Sequence, residues 1–193
     1  MSPERLEHLK AVLSREITEK RLPGAVIGIL RGDGVAFLDS VGHRDPLSTE
    51  AMQPDAVFSI ASMTKPMVSL AVMQLVEEGR ILLGDPIDSY LPELAGLQVQ
   101  TGNADRGWGG EPAEHAPTVQ DLLRHTSGFT YTDRGDTPAH AKAPKSSVRA
   151  SINLTQSEFL DALRNAPLLF LPGRLREYGF SVDVLGLLVE RMT

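Results

Sequence analysis

No cysteine occurs among the 193 residues, which excludes a disulfide framework, a thiolate zinc site and a cysteine nucleophile. No basic block occurs either. The 19 basic residues face 25 acidic ones for a net charge of -6, and without clustered Lys and Arg nucleic acid is not an expected partner. No window approaches the roughly 18 consecutive apolar residues that span a bilayer, so no membrane partner is expected. The first residues, MSPERLEHLK, alternate in charge and hold no apolar stretch of the kind a secretory signal carries. With zero cysteines, this makes a cytoplasmic protein the expectation. There is no metal-ligating cluster, no P-loop and no G-x-G-x-x-G, so neither a cofactor nor a metal is expected. Internal repeats are absent as well.

What remains is an ordinary globular composition, 41% apolar and 23% charged, in a chain long enough for one well-buried core. Leu6, Leu9, Val12, Leu13 and Ile17 recur at helical spacing, predicting a helix over 3–20 with Pro3 in its first turn. Residues 25–30 read as a strand, 31–34 as a turn and 35–41 as the hairpin partner. Residues 57–60 read as a short extended lead-in. From Ser62 to about Glu78 the spacing of Met67, Leu70, Ala71, Met73, Leu75 and Val76 predicts a long helix with one strongly apolar face, stopped by Gly79.

Residues 96–117, rich in Gly, Pro and polar groups, read as a surface loop, and 132–153 as another. Thr118 with Asp121 and Thr155 with Glu158 are capping-box patterns opening helices that run to about His125 and Asn165. Ser181 reads as the cap of a last helix. The few strand candidates are too few for a satisfied sheet, so partner strands are expected outside this chain.

Ser62-Met63-Thr64-Lys65 is an S-x-x-K pattern at a helix start. A spacing of three stacks hydroxyl and amine on one helical face. A serine hydroxyl needs an adjacent base at neutral pH, and lysine serves if its pKa is lowered. The apolar neighbours Ile60, Ala61 and Met63 are expected to help keep Lys65 neutral. Free N–H groups and the positive dipole end favour charge developing at Ser62, whose own N–H is a candidate oxyanion donor. Taken alone, the four residues more often mark an N-cap serine followed by a solvated lysine.

The longer segment FSIASMTKPMVSLAVMQLVEEGRILLGDPIDSYLPEL resembles the nucleophile region of the serine β-lactamase-like superfamily: class C β-lactamases, DD-peptidases and family VIII carboxylesterases. Two further segments agree in order and spacing. Leu122-Leu123-Arg124-His125-Thr126-Ser127-Gly128 is similar to the family's LLxHTSG segment, and Pro172-Gly173 through Glu177-Tyr178-Gly179-Phe180-Ser181 to the segment with its catalytic tyrosine.

The resemblance implies an α+β, transpeptidase-like fold, an antiparallel sheet flanked by helices with a helical region bearing Tyr178. It implies catalysis by Ser62, Lys65 and Tyr178, the phenol(ate) sharing the base role with Lys65, and no cofactor. Tyr131 matches a position that often lines the substrate cleft in the esterases, and by itself reads equally as a surface-loop aromatic. Phe180 stands where the family's Y-x-N pattern has asparagine; an apolar ring there favours an ester pocket, hence family VIII. His125 is read as structural, with Gly128 ending its helix. The Trp108-Gly109-Gly110 triplet precedes the tyrosine, out of order for the family's third motif, and reads as loop anchoring.

Complete members run to about twice this length, so residues 1–193 are expected to be the amino-terminal part of one catalytic domain. The carboxy-terminal part, with the third motif, is expected as a partner beside a small-molecule ester. Rival expectations are β-lactam or D-Ala-D-Ala chemistry and an inactive binding or regulatory module on the same scaffold.

Overall fold

The computed structural model describes residues 2–145 and 154–193, so part of the expected loop over 132–153 lies outside the described residues. They divide into two compact units, residues 1–59 and 60–193.

In the first unit, helix α1 (Pro3–Thr18) carries Pro3 in its first turn and precedes strands β1 (Gly24–Arg31) and β2 (Gly34–Gly42). The strands pair antiparallel from Gly24 opposite Gly42 to Arg31 opposite Gly34, with an irregularity between Ile29 and Leu30. Lys10 reaches from α1 to Asp39 on β2 at 2.6 Å. Val41 and Met52 are the buried apolar side chains here. The lead-in expected at 57–60 forms no strand.

Among the described residues the core of the second unit draws side chains from 72–99, 119–129 and 160–188 but none from within the short helix α4 (Pro138–Lys142). Helix α2 (Thr64–Glu77) buries Val72 and Leu75 and ends on Gly79, whose φ of +69° supplies the left-handed turn. Arg80 N–H then reaches back to Leu75 C=O and Gly79 N–H to Val76 C=O. The single apolar face expected for this helix is split. Val68, Val72, Leu75 and Val76 turn inward, while Met67 (63%), Leu70 (59%) and Met73 (43%) form an exposed stripe.

The region expected to be a loop over 96–117 contains a hairpin, β3 (Gln98–Asn103) and β4 (Gly107–Pro112), with Trp108 opposite Gly102. Asn103 Oδ1 accepts from the N–H groups of Asp105 and Arg106 and shapes its turn. Trp108 is therefore a strand residue, half-exposed rather than a buried anchor.

Helix α3 (Val119–Arg124) opens on a complete capping box: Asp121 N–H donates to Thr118 Oγ1 at 3.1 Å, and Thr118 N–H to Asp121 Oδ2 at 3.0 Å. Thr155 and Glu158 repeat it at α5 (Gln156–Asn165). Thr118→Ala is expected to cost about 1 kcal/mol of stability, read as a lower urea midpoint at unchanged slope. The last helix, α6 (Ser181–Met192), has Ser181 as its first residue and no side-chain cap. Ser181 is instead buried, its hydroxyl 2.8 Å from that of Ser127.

Candidate active site

Ser62 lies in a 3-10 turn (Ala61–Met63) that feeds into α2, so the α-helix proper begins at Thr64, two residues later than its sequence pattern predicts. Ala61 reaches this turn with φ at +46°, a left-handed conformation that costs an L-residue about 1–2 kcal/mol. The turn leaves Ser62 exposed at the mouth of the helix, with Lys65 three residues on and half-buried.

Tyr178 arrives from the segment before α6, and the HTSGF stretch after α3 is the platform that aims it. Helix α3 stops at His125 itself, which takes the left-handed conformation (φ +58°), and not at Gly128. Beyond that point the chain is strapped to the tyrosine segment by backbone bonds. Glu177 N–H donates to His125 C=O at 2.9 Å, and Gly173 N–H to Thr126 C=O at 2.8 Å.

The Ser127–Ser181 hydroxyl pair adds a buried cross-link, and Gly179 sits against the Phe129 and Thr130 backbone. The His125 ring stacks on Tyr178 with centroids 4.8 Å apart. The result places the Tyr178 hydroxyl 2.6 Å from Ser62 Oγ, across 116 residues of sequence. Lys65 Nζ lies 4.8 Å from the centre of the Tyr178 ring and 3.4 Å from the Tyr131 hydroxyl.

The charges sort themselves by surroundings. Burial pulls the Lys65 pKa down, but its hydrogen bond with Tyr178 and attractions to Tyr131 and Asp183 outweigh it and hold the amine above the ordinary lysine value. The apolar residues expected to keep Lys65 neutral do not do so: Ile60 and Met63 are exposed. Burial also disfavours the Tyr178 phenolate, yet hydrogen bonds with Ser62 and Lys65 prevail and bring its pKa below the usual tyrosine value. The hydrogen bond with Ser62 and the nearby Lys65 charge together make this phenol more acidic than an ordinary tyrosine. His125, depressed by burial and by the charges of Arg176 and Lys65, is neutral at pH 7.

Two further expected site residues lie beside these groups. Tyr131 turns its hydroxyl toward Lys65 and packs its ring edge-on against Tyr178 and Phe180, at 5.7 and 4.5 Å. Phe180, expected beside the substrate, is buried (3% exposed), its ring in edge-to-face contact with Tyr131 and Phe159. Asp183, in the first turn of α6, is a neighbour of Lys65 and Tyr131 that motif reading passes over. Its only sequence signal is an acidic residue five positions after Tyr178. Among the described residues no group of three His, Asp or Glu side chains is placed to hold a metal ion. No helix among them is long and apolar enough to cross a membrane.

Comparison with known proteins places this arrangement in a family. A family model described as Beta-lactamase matches residues 9–193. Esterase EstB of Burkholderia gladioli is 35% identical over 188 residues, covering 96% of this chain and 45% of that protein. EstCE1, described as a hydrolase with promiscuous acyltransferase activity, superposes with a TM-score of 0.74 at 26% identity, over 96% of this chain and 46% of its own. Unliganded simvastatin synthase LovD of Aspergillus terreus superposes at 0.76 with 21% identity, over 98% and 49%, a likeness of fold alone. The chain thus spans less than half the length of these relatives. The helices and antiparallel hairpins described above belong to an α+β, transpeptidase-like fold shared with these relatives. The chain belongs to the beta-lactamase family.

Proposed function

We propose that residues 1–193 are the amino-terminal part of one catalytic domain, in a serine hydrolase that cleaves carboxylic esters. The remaining part is supplied by sequence corresponding to the carboxy-terminal half of its relatives. The observation that carries this reading is the 2.6 Å approach of the Tyr178 hydroxyl to Ser62 Oγ beside a lysine held as ammonium.

Tyr178, as phenolate, takes the proton from Ser62 Oγ while that oxygen bonds to the ester carbonyl carbon. Lys65 stays protonated and offsets the negative charge that passes from phenolate to carbonyl oxygen. The Ser62 N–H, at the positive end of α2, is one donor to that oxygen. The tetrahedral intermediate collapses with breakage of the bond to the alkoxy group, which leaves with the proton from Tyr178. An acyl group then remains on Ser62. Water attacks it, giving a proton to Tyr178, and the acid departs as Ser62 recovers its proton.

The preference for esters over β-lactams draws on the names of EstB and EstCE1. It does not draw on Phe180, which is enclosed. A fluorophosphonate probe tests the nucleophile directly: a single adduct is expected, on Ser62, with loss of p-nitrophenyl butyrate hydrolysis in step with labelling. An adduct elsewhere, or hydrolysis that survives full occupancy of Ser62, overturns the reading. Turnover of nitrocefin far faster than of the ester would move the substrate class to β-lactams and keep the nucleophile.

A further inference from the structure

His125 grips the tyrosine segment twice. Its backbone C=O accepts from Glu177 N–H at 2.9 Å, and its ring lies against that of the next residue, Tyr178, with centroids 4.8 Å and planes 34° apart. The residue is itself fixed. It holds the left-handed conformation (φ +58°) that ends α3, and its side chain is buried (8% exposed). Its Nδ1 is enclosed and, among the described residues, has no hydrogen-bond partner. A neutral imidazole tolerates this, because the tautomer with its proton on Nε2 leaves only a lone pair at Nδ1. An imidazolium does not: it puts a donor on Nδ1, where none of the described residues accepts it.

We propose that His125 is a positioning residue for Tyr178, and an acid-sensitive one: the uncharged ring holds the phenol at Ser62, and a proton taken up at Nδ1 loosens that hold. This rests on the serine-hydrolase reading above, since the placing of Tyr178 matters only if it serves Ser62. The titratable and charged groups facing the ring are Tyr178, stacked on it, Arg176 from the same segment, and Lys65 from α2. Both cations repel an imidazolium. The Glu177 carboxylate is turned to other partners, accepting from Thr130 Oγ1 at 3.3 Å and from Arg134 Nε at 3.2 Å.

Burial, Arg176 and Lys65 hold the His125 pKa below the ordinary 6.5. Above pH 6.5 the imidazole is therefore neutral whether stacked or released, and the hold is complete. Below it a released imidazole takes a proton that the stacked one refuses. The stacked arrangement then loses up to about ten-fold in its equilibrium constant per pH unit, until the depressed value is reached.

The test is the rate of fluorophosphonate labelling at Ser62 in His125→Phe relative to wild type, from about pH 8 down to about pH 5. Taking the ratio cancels the titration of Tyr178, which both proteins share. This variant keeps a ring but takes no proton. Its rate is expected to be about three-fold below wild type at pH 8, and the ratio to rise about ten-fold by pH 5 as wild type loses its hold. His125→Asn suits the left-handed backbone but removes the ring. It is expected to label about ten-fold more slowly at pH 8 and to show the same relative gain on acidification. A ratio that stays flat in either folded variant overturns the inference and leaves the hydrolase reading standing. Wild-type protein that takes no label at Ser62 brings both down together.

Discussion

Tyr178→Phe, the removal of one oxygen atom, is expected to slow ester hydrolysis and Ser62 labelling by about 10²–10⁴-fold, the usual worth of a positioned proton-transfer group. The ring would keep its stacking on His125 at 4.8 Å and its edge contact with Tyr131 at 5.7 Å, so stability should change little. Lys65→Met should cost a similar factor by a different route: the phenol stays, but loses the hydrogen bond and charge that lower its pKa. Since both changes disable the same proton transfer, the double variant should be scarcely worse than the poorer single one. Measured kcat/KM values for the four proteins decide the matter. Losses that multiply would mean that phenol and ammonium act independently, contrary to the proposed mechanism.

Gly179→Ala is expected to be the most damaging small substitution outside the reacting groups. A methyl group at this position would collide with the Phe129 carbonyl oxygen and come within 2.6 Å of Thr130 Cα. Both obstacles are backbone, in the platform that aims the neighbouring tyrosine, so one of two strapped segments must move. A cost of about 2–4 kcal/mol in stability is expected. A displacement of about 1 Å at Tyr178 is enough to lose roughly 100-fold in rate. Urea unfolding and labelling of the same preparation check both figures, and wild-type values for either would show that the segments yield without disturbing the site.

Local grammar explains which elements were readable. The capping boxes at Thr118 and Thr155 and the turn at 31–34 involve residues within three or four positions of one another, and each appears where its pattern places it. Strand β4, GWGGEP, has no β-branched residue and no alternation, because its glycines let it pair closely with β3, and so it reads as a loop. The apolar stripe of α2 was legible, but not which half of it the described core covers. At the candidate site, S-x-x-K is local and visible. The state of Lys65 is not, since it depends on Tyr178, Tyr131 and Asp183 from two distant segments. Ser181 resembles an N-cap in every local respect, and only the tertiary partner Ser127 draws its hydroxyl inward. The enclosure of Phe180 is likewise not legible, since a sequence does not say which rings will surround it.

The 116-residue span between Ser62 and Tyr178 has a kinetic corollary. The backbone hydrogen bonds within helices α2 and α6 are local and can form early, whereas the oxygen pair exists only after a long loop has closed and the HTSGF stretch has locked onto the tyrosine segment. A collapsed species with all its helicity would be chemically silent. During refolding, the return of labelling at Ser62 would therefore report the last tertiary step, well behind the recovery of far-ultraviolet ellipticity.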